Sequence, residues 1–254
     1  MNTTVDTGFA DSDLERRFGG LRRLYGDAGY ARIRAARIAV VGVGGVGSWA
    51  AEALARSGVA ALTLIDLDHV SESNVNRQVQ ALGATLGQAK VQALRERIAD
   101  IHPGCEVTTV EEFVDDGNWP VLLPRPVDVV IDACDQVRAK AVLAAWALAT
   151  KSTLVIAGAA GGKRSPHLVQ ADDLALATHD PLLASLRQRL RQHHGAPRSG
   201  KLGLRCVFSR ESVQAPEDAC DVDGSLNCHG YGSSVTVTAT FGMVAASLAL
   251  ECWL

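Results

Sequence analysis

The sequence lacks the paired cysteines of a structural zinc site. Its six cysteines, at positions 105, 134, 206, 220, 228 and 252, include no Cys-x-x-Cys pair, so we expect no zinc. The first 17 residues lack an apolar core and carry several acids, which argues against a secretory signal and a disulfide framework. We therefore expect a reduced protein of the cytoplasm.

A strong net charge is also missing, since 25 basic and 28 acidic residues give a formal charge of −3. The whole molecule is thus not a generic nucleic-acid binder, and any RNA contact requires a local basic patch. With 254 residues, 47% of them hydrophobic, the composition is that of an ordinary globular protein. We expect a flexible N-terminus over residues 1–15 and a single domain over 16–254.

The run of residues 230–250 contains no charged residue, and this is about the length that spans a bilayer. Val235 and Val237 alternate with threonines in this run, a period that favours a strand. We predict a buried strand followed by a core helix over 241–250, without stable membrane insertion.

Apolar strands alternate with helical segments along the first two thirds of the chain. Strands are predicted at 38–41, 62–66, 107–110, 127–132 and 154–157, and helices at 16–36, 48–57, 86–101 and 138–150. This alternation indicates an α/β fold, a Rossmann-like, doubly wound, mostly parallel sheet with helices on both faces and a C-terminal extension. Residues 162–232 are expected to form substrate-side insertions, including a helix and basic loop over 180–203 and a mobile loop over 216–232.

A glycine-rich turn follows the first predicted strand and opens a helix. Its backbone N–H groups would approach a phosphate at the positive end of that helix. The candidate cofactor-binding residues of this turn are Gly42, Gly44, Gly45, Gly47 and Ser48. Asp66 ends the second strand, where an acid binds ribose hydroxyls. Asp68 is a further cofactor-binding candidate, with a turn residue as the alternative.

A set of polar residues after the second strand distinguishes a triphosphate-binding site from a dinucleotide-binding site. Arg77 and Lys90 could neutralise a triphosphate and stabilise the charge that passes to pyrophosphate. Any one of these residues is more often a solvated surface group, but the spaced set favours ATP. Its members are Asn74, Arg77, Gln78 and Lys90.

Two acids follow the fourth strand, at the sheet edge where open α/β folds bind ligands. A carboxylate there can hold Mg²⁺ against phosphates. Asp132 could equally be a capping residue. Asp135, which Arg138 and Lys140 follow, is the better catalytic and metal-binding candidate.

Together, GVGGVGS, Asp66, SNVNRQ, Lys90 and D-x-x-D resemble the adenylating family of ubiquitin-activating enzymes and their bacterial ThiF-like relatives. The resemblance implies acyl-adenylate formation with ATP and Mg²⁺, a homodimer, and a monovalent cation as a further candidate ligand. Partner-inserted arginines occur in such dimers, and Arg23 ranks ahead of Arg17 and Arg22 here. The residues that the resemblance assigns to ATP and catalysis are Gly44, Gly45, Asp66, Asn74, Arg77, Lys90 and Asp135.

Four further segments, RRFGGLRRLYG, GSWAAEALARSG, GKLGLRCVFS and TVTATFGMVAA, are similar to the tRNA threonylcarbamoyladenosine dehydratases over roughly residues 16–250. This resemblance implies adenylation of the modified base's carboxylate, then ring closure by its own carbamoyl group. It also implies a functional cysteine in a loop, matched by Cys228 with Cys220 as rival. Cysteine-desulfurase-type sulfur-transfer proteins are candidate partners.

A basic run without acids supports an RNA substrate independently, since such runs supply phosphate contacts. Its alternative is the solvated face of a helix. The candidate RNA-binding residues are Arg187, Arg189, Arg191, Arg198, Lys201 and Arg205. Rival functions are activation of a small sulfur-carrier or ubiquitin-like protein, nicotinamide binding, and a non-catalytic scaffold.

Overall fold

The computed structural model describes residues 11–214 and 231–253. Seven strands form one sheet. They are β1 Arg37–Val41, β2 Ala61–Ile65, β3 Glu106–Val110, β4 Val129–Asp132, β5 Thr153–Ala157, β6 Val169–Asp173 and β7 Arg205–Ser209. Their order in the sheet is β3-β2-β1-β4-β5-β7-β6, and all neighbouring strands are parallel except β6, which runs antiparallel to β7. The predicted Rossmann-like, mostly parallel sheet is confirmed.

Helices cover the sheet, and buried apolar side chains form one core on each of its faces. The near-continuous burial of β1, β2 and β4 is typical of strands covered on both sides. In the described ranges the helices are α1 Asp11–Ala35, α2 Gly47–Arg56, α3 Lys90–Ile101, α4 Val137–Thr150, α5 Pro181–His193 and α6 Val235–Leu250.

Strand order decides where a ligand can bind. β1 has β2 on one side and β4 on the other, and chains that leave these strands in opposite directions open a crevice at their carboxyl ends. The segments that follow β1, β2, β4 and β5 all meet at this edge. The site described below occupies it.

The observed elements differ from the predicted ones in three places. Residues 169–173 and 205–209 are strands that extend the main sheet, so residues 162–232 are not simply insertions. Residues 235–240 belong to α6 rather than to a strand, because the Ser234 hydroxyl caps the helix at the Thr236 N–H. The first helix begins at Asp11, within the segment expected to be flexible.

Helix α6 packs tightly against α2. A Cβ placed on Gly242 would lie 2.5 Å from the Val46 carbonyl oxygen and 2.7 Å from the Trp49 Cβ, so a glycine is required for this approach. The contact fixes the start of α2, where the glycine turn ends. No helix in the described part of the chain is long and apolar enough to cross a membrane.

Candidate active site

A pocket opens at the carboxyl ends of the parallel strands and brings together most of the predicted ATP-binding residues. Gly42, Gly44 and Gly45 of the glycine turn line it, between the ends of β1 and β4. The other predicted residues that line it are Asp66, Asp68, Asn74, Arg77, Gln78, Lys90 and Asp135.

Glycine is required in the turn for close backbone contacts. Gly42 has a φ of +80°, a left-handed conformation that favours glycine. A Cβ on Gly42 would lie 2.9 Å from the Ala133 oxygen, and one on Gly45 would lie 3.2 Å from the Thr238 Cγ2. The turn therefore lies directly against the segment after β4 and the start of α6.

Two predicted cofactor-binding residues, Gly47 and Ser48, do not line the pocket. A Cβ on Gly47 would lie only 1.8 Å from the Gly42 oxygen, so Gly47 serves the folding of the turn. Ser48 is fully buried, and its hydroxyl accepts a hydrogen bond from the Val79 N–H at 3.4 Å. The structure places neither residue on the pocket lining, and their cofactor-binding role stays a prediction.

Asp66 is held at the end of β2 by two backbone donors. The Val43 N–H donates to its Oδ2 at 2.8 Å and the Asp68 N–H to its Oδ1 at 2.9 Å. Burial raises the pKa of the Asp66 carboxyl, while the charge of Lys90 acts in the opposite direction. A fixed carboxylate beside the glycine turn is suited to accept ribose hydroxyls.

The predicted triphosphate-binding set lies on one side of this pocket. Asn74 caps a short 3₁₀ helix, Glu72–Asn74, by accepting the Ser71 N–H at 3.1 Å. The Arg77 guanidinium donates to the Ser73 oxygen at 2.7 Å. Both hydrogen bonds of the guanidinium reach neutral groups, so no carboxylate among the described residues cancels the positive charge of Arg77. Gln78 is buried and accepts a bond from Gln80.

The two acids after β4 have different roles. Asp132 is fully buried and its Oδ1 lies 3.0 Å from the Lys140 Nζ, while Asp135 is exposed and lines the pocket. Lys140 also donates to the Ala157 oxygen at 2.7 Å, which joins the ends of β4 and β5. Asp132 and Lys140 are therefore structural, and Asp135 is the acid that can meet a ligand.

No cluster of three or more histidines, cysteines or acids suited to a metal ion occurs among the described residues. Magnesium does not need one, since it commonly binds one or two carboxylates together with substrate phosphates and water. Asp135 fits this role at the pocket surface. The Asp132 Oδ2 atom, which is buried and has no hydrogen-bond partner in the described part of the chain, lies on the same short segment.

Sequence reasoning missed part of the pocket. Phe113, 47% exposed, and Glu112 line it from the segment after β3, and Thr238 lines it from α6. Residues 158–161, here called the pocket wall, line it from the end of β5. The signals were an isolated aromatic residue in a polar stretch and the sequence GAAGG directly after an apolar strand.

The basic run 187–205 lies away from the pocket. Arg187 is half-buried and donates to the Leu174 and Ala177 oxygens at 3.0 and 2.9 Å. Arg205 pairs with Glu251 at 2.8 Å at the amino end of β7, the sheet edge opposite the pocket. Arg198 and Lys201 are exposed. A shallow surface depression is lined by Ala184, Arg187, Gln188, Arg191, Gln192 and Arg198.

The predicted loop cysteines lie outside the described residues, whereas the arginines predicted to enter a partner subunit lie on α1. Cys220 and Cys228 lie outside the described residues, and so does most of the loop expected at 216–232. Of the arginines proposed for insertion into a partner subunit, Arg17 donates to the Ile101 oxygen and Arg22 pairs with Glu15 and Asp27. Arg23 is exposed and has no bond to a described residue.

Comparison with known proteins agrees with this geometry. Residues 18–253 match the ThiF family. The chain is 45% identical to the tRNA threonylcarbamoyladenosine dehydratase of Escherichia coli K12, over 93% of this chain and 92% of that protein. It is 40% identical to the Haemophilus influenzae dehydratase, over 94% of each chain. The crystal structure of the E. coli enzyme, TcdA, in complex with ATP superposes with a TM-score of 0.87, 45% identity and 96% coverage of both chains.

The chain therefore belongs to the ThiF family, and its fold matches that of the E. coli enzyme. Within that family its similarity over nearly the whole length is to the tRNA threonylcarbamoyladenosine dehydratases.

Proposed function

We propose that this protein catalyses the ATP-dependent dehydration of threonylcarbamoyladenosine next to the anticodon of tRNA. The observation that carries the proposal is the convergence of Asp66, Asn74, Arg77, Lys90 and Asp135 on one pocket, in a chain 45% identical over nearly its full length to an enzyme of that name. ATP is the nucleotide, as in the E. coli complex.

The pocket residues divide the work of adenylation. The Asp66 carboxylate orients the ribose, and the glycine turn receives the phosphates on its backbone N–H groups. A carboxylate oxygen of the modified base attacks the α-phosphorus, and the bond to pyrophosphate breaks. Arg77 and Lys90 stabilise the negative charge that moves onto the leaving pyrophosphate.

Ring closure completes the reaction. The carbamoyl group of the same nucleoside attacks the acyl carbon, the bond to the AMP oxygen breaks, and one proton leaves the carbamoyl group. The carboxylate oxygen departs in AMP, so the nucleoside loses the elements of one water.

Magnesium is proposed as the metal, held by Asp135 and the nucleotide phosphates. When bound, it neutralises part of the phosphate charge. A monovalent cation stays a candidate ligand. Cys228 is proposed as the loop cysteine that the reaction requires, on the resemblance alone.

The proposed tRNA contacts fall on the exposed part of the basic run. Arg198 and Lys201 support it because they are exposed cations close together in sequence, and Arg189 and Arg191 are half-buried on α5. Arg187 and Arg205 are weaker candidates, since intramolecular bonds already engage them.

Homodimer formation, a cytoplasmic location and contact with sulfur-transfer proteins complete the proposal. Arg23 supports a dimer in which an arginine reaches the partner's pocket, because it is exposed. Light scattering of the purified protein would test the dimer: a mass near twice 26.8 kDa supports it, and a monomer contradicts it.

The decisive experiment is nucleoside mass analysis of tRNA that carries threonylcarbamoyladenosine, after incubation with the protein and ATP·Mg. We expect the nucleoside to lose one water, and Lys90→Ala to leave it unchanged. If the mass stays the same and AMP appears only when a small carrier protein is added, the function is carrier activation. That alternative is not favoured, because the dehydratases match nearly the whole chain.

A further inference from the structure

Two lysine–aspartate pairs are buried behind the pocket. Lys140 and Asp132 are joined at 3.0 Å, and Lys163 and Asp180 lie 3.8 Å apart; all four side chains are fully buried. Asp180 is also among the charges that act on Lys140. Burying an ion costs several kcal/mol of desolvation free energy, so buried ions persist only where they are well paired. The second pair contacts the pocket wall.

The Asp180 carboxylate links the pocket wall to α5 by accepting a backbone hydrogen bond from each. Its Oδ2 accepts the Ala159 N–H at 2.9 Å, and its Oδ1 accepts the Leu183 N–H at 3.0 Å. The wall approaches the carboxylate so closely that a Cβ on Gly158 would lie 2.2 Å from Oδ2. This carboxylate is therefore the side-chain group that fixes Ala159, and with it the middle of the wall.

Lys163 lies two residues after the end of the wall, and its ammonium faces the Asp180 carboxylate. Its ammonium has no hydrogen-bond partner among the described residues and lies 5.9 Å from the centre of the Phe241 ring. Burial lowers the pKa of Lys163, while the charges of Asp180 and Glu211 favour the protonated form. If the side chain only filled this space, an uncharged side chain would do so without the free-energy penalty of desolvating a charge.

Two backbone N–H groups of the wall have no acceptor among the described residues. The N–H groups of Gly158 and Ala159, and that of Gly162 just after the wall, donate to Val207, Asp180 and Gly232. Those of Ala160 and Gly161, which both line the pocket, donate to no described group. Successive free backbone N–H groups are suited to hold an oxyanion.

The location of the wall indicates which oxyanion that is. Along the pocket edge the order is Asp66 after β2, the glycine turn after β1, Asp135 after β4 and then the wall after β5. With strands about 4.8 Å apart, the wall lies two strands beyond the phosphate-binding turn, on the side away from the ribose. The acyl group on the α-phosphate would face it.

We propose that Lys163 is a positioning residue, which acts through Asp180 to hold the Ala160 and Gly161 N–H groups against the acyl oxygen during ring closure. This inference rests on the proposed function. As the carbamoyl group attacks, the acyl carbon becomes tetrahedral and its oxygen takes up the electron pair. The two N–H groups stabilise that charge until the pair returns and AMP leaves.

The test separates the two chemical steps in a single turnover with tRNA that carries threonylcarbamoyladenosine. Pyrophosphate release reports adenylation, and the mass of the nucleoside reports ring closure. For Lys163→Met we expect ring closure to slow by about tenfold or more, with pyrophosphate release within about twofold of the wild type. The expected loss is smaller than the roughly 10²–10³-fold for removal of an oxyanion donor, because the two N–H groups stay in place but are less well positioned. Lys163→Arg restores the charge and should recover ring closure to within about threefold.

Arg164→Met is the matched control, since Arg164 is the next residue and is exposed; it should leave both steps unchanged. Equal slowing of both steps, no slowing, or failure of the arginine variant to recover would each overturn the proposal. Lys163→Gln answers the same question if the methionine variant does not fold. Wild-type protein that releases no pyrophosphate with this tRNA would instead refute the proposed function.

Discussion

The Lys90 ammonium lies 2.7 Å from the Asp68 carboxylate, and the Lys90 backbone N–H donates to the Asp68 oxygen at 2.9 Å. This double link holds a buried lysine at the edge of the nucleotide pocket. A triphosphate would compete with Asp68 for the ammonium. We therefore expect Lys90→Ala to lower kcat by about 10²–10³-fold, the loss typical of a group that stabilises transition-state charge. Steady-state turnover of modified tRNA measures it.

Arg95→Ala provides the control for Lys90, because Arg95 is an exposed cation on the same helix, α3. It should retain wild-type turnover. Equal activity in the two variants would show that Lys90 does not act on the phosphates.

Gly47 and Gly44 should respond differently to alanine. A Cβ on Gly47 would lie 1.8 Å from the Gly42 oxygen, whereas one on Gly44 meets only the Gln78 side chain at 3.8 Å. Gly47→Ala should therefore destabilise the fold by about 1–3 kcal/mol or more, and Gly44→Ala should leave the melting temperature nearly unchanged. Thermal melting of both variants measures this difference in stability. Equal melting temperatures would contradict the tight packing of the turn.

Phe113 lines the pocket and is 47% exposed, so we expect its ring to stack on a base. Base–aromatic stacking is worth about 1–3 kcal/mol, so Phe113→Ala should raise KM for ATP by about fivefold or more. Val121→Ala, on the same segment and 83% exposed, should not change it. A rise in KM for tRNA without one for ATP would place the stacked base on the RNA.

The basic run should separate into RNA contacts and structural residues. Replacing Arg198 and Lys201 together by alanine should raise KM for tRNA and reduce the salt dependence of binding by about one unit of slope per lost phosphate contact. Arg187→Ala should lower the melting temperature instead, because two backbone oxygens lose their donor. Filter binding at several salt concentrations, with unchanged slopes as the contrary result, tests this division.

His102 predicts an acid sensitivity of the fold. Burial, followed by the charges of Arg34 and Arg17, lowers the pKa of this histidine from 6.5 to about 4. The unfolded chain takes up a proton near pH 6.5 and the folded chain only near pH 4. Stability is thus full above pH 6.5 and falls toward pH 4, by at most about 3 kcal/mol from this group.

Urea unfolding between pH 7 and 4 measures this loss. His102→Gln should flatten the profile, while the exposed His69→Gln should keep it. Identical profiles for the two variants would show that His102 does not set the acid sensitivity.

Local patterns predicted the first half of the fold well. The turn from β1 to α2 and the acid at the end of β2 depend on residues close in sequence, so spacing alone located Gly42 and Asp66. The strand predicted over 235–240 was wrong because the Val–Thr alternation has the period of a strand. Packing of α6 onto α2 through Gly242 overrides that preference.

Burial of single side chains could not be predicted in the same way. Ser48 and Val79 are 31 positions apart, so their contact depends on the path of the intervening chain. The pairing of Lys163 with Asp180 likewise needs α5 to begin beside the pocket wall. Strand β6 was missed because it is antiparallel at the sheet edge and only partly buried, without the apolar run that marks the central strands.

Gly162 brings two distant parts of the chain to one point: its N–H donates to the Gly232 oxygen, and its oxygen accepts the Gln214 N–H, each at 2.9 Å. Residues 214 and 232 are therefore held close to each other, because both are hydrogen-bonded to the backbone of Gly162. The entropy of closing a loop grows only slowly with its length. A change in the number of residues between these two points would therefore cost little closure entropy, because Gly162 holds both ends in place.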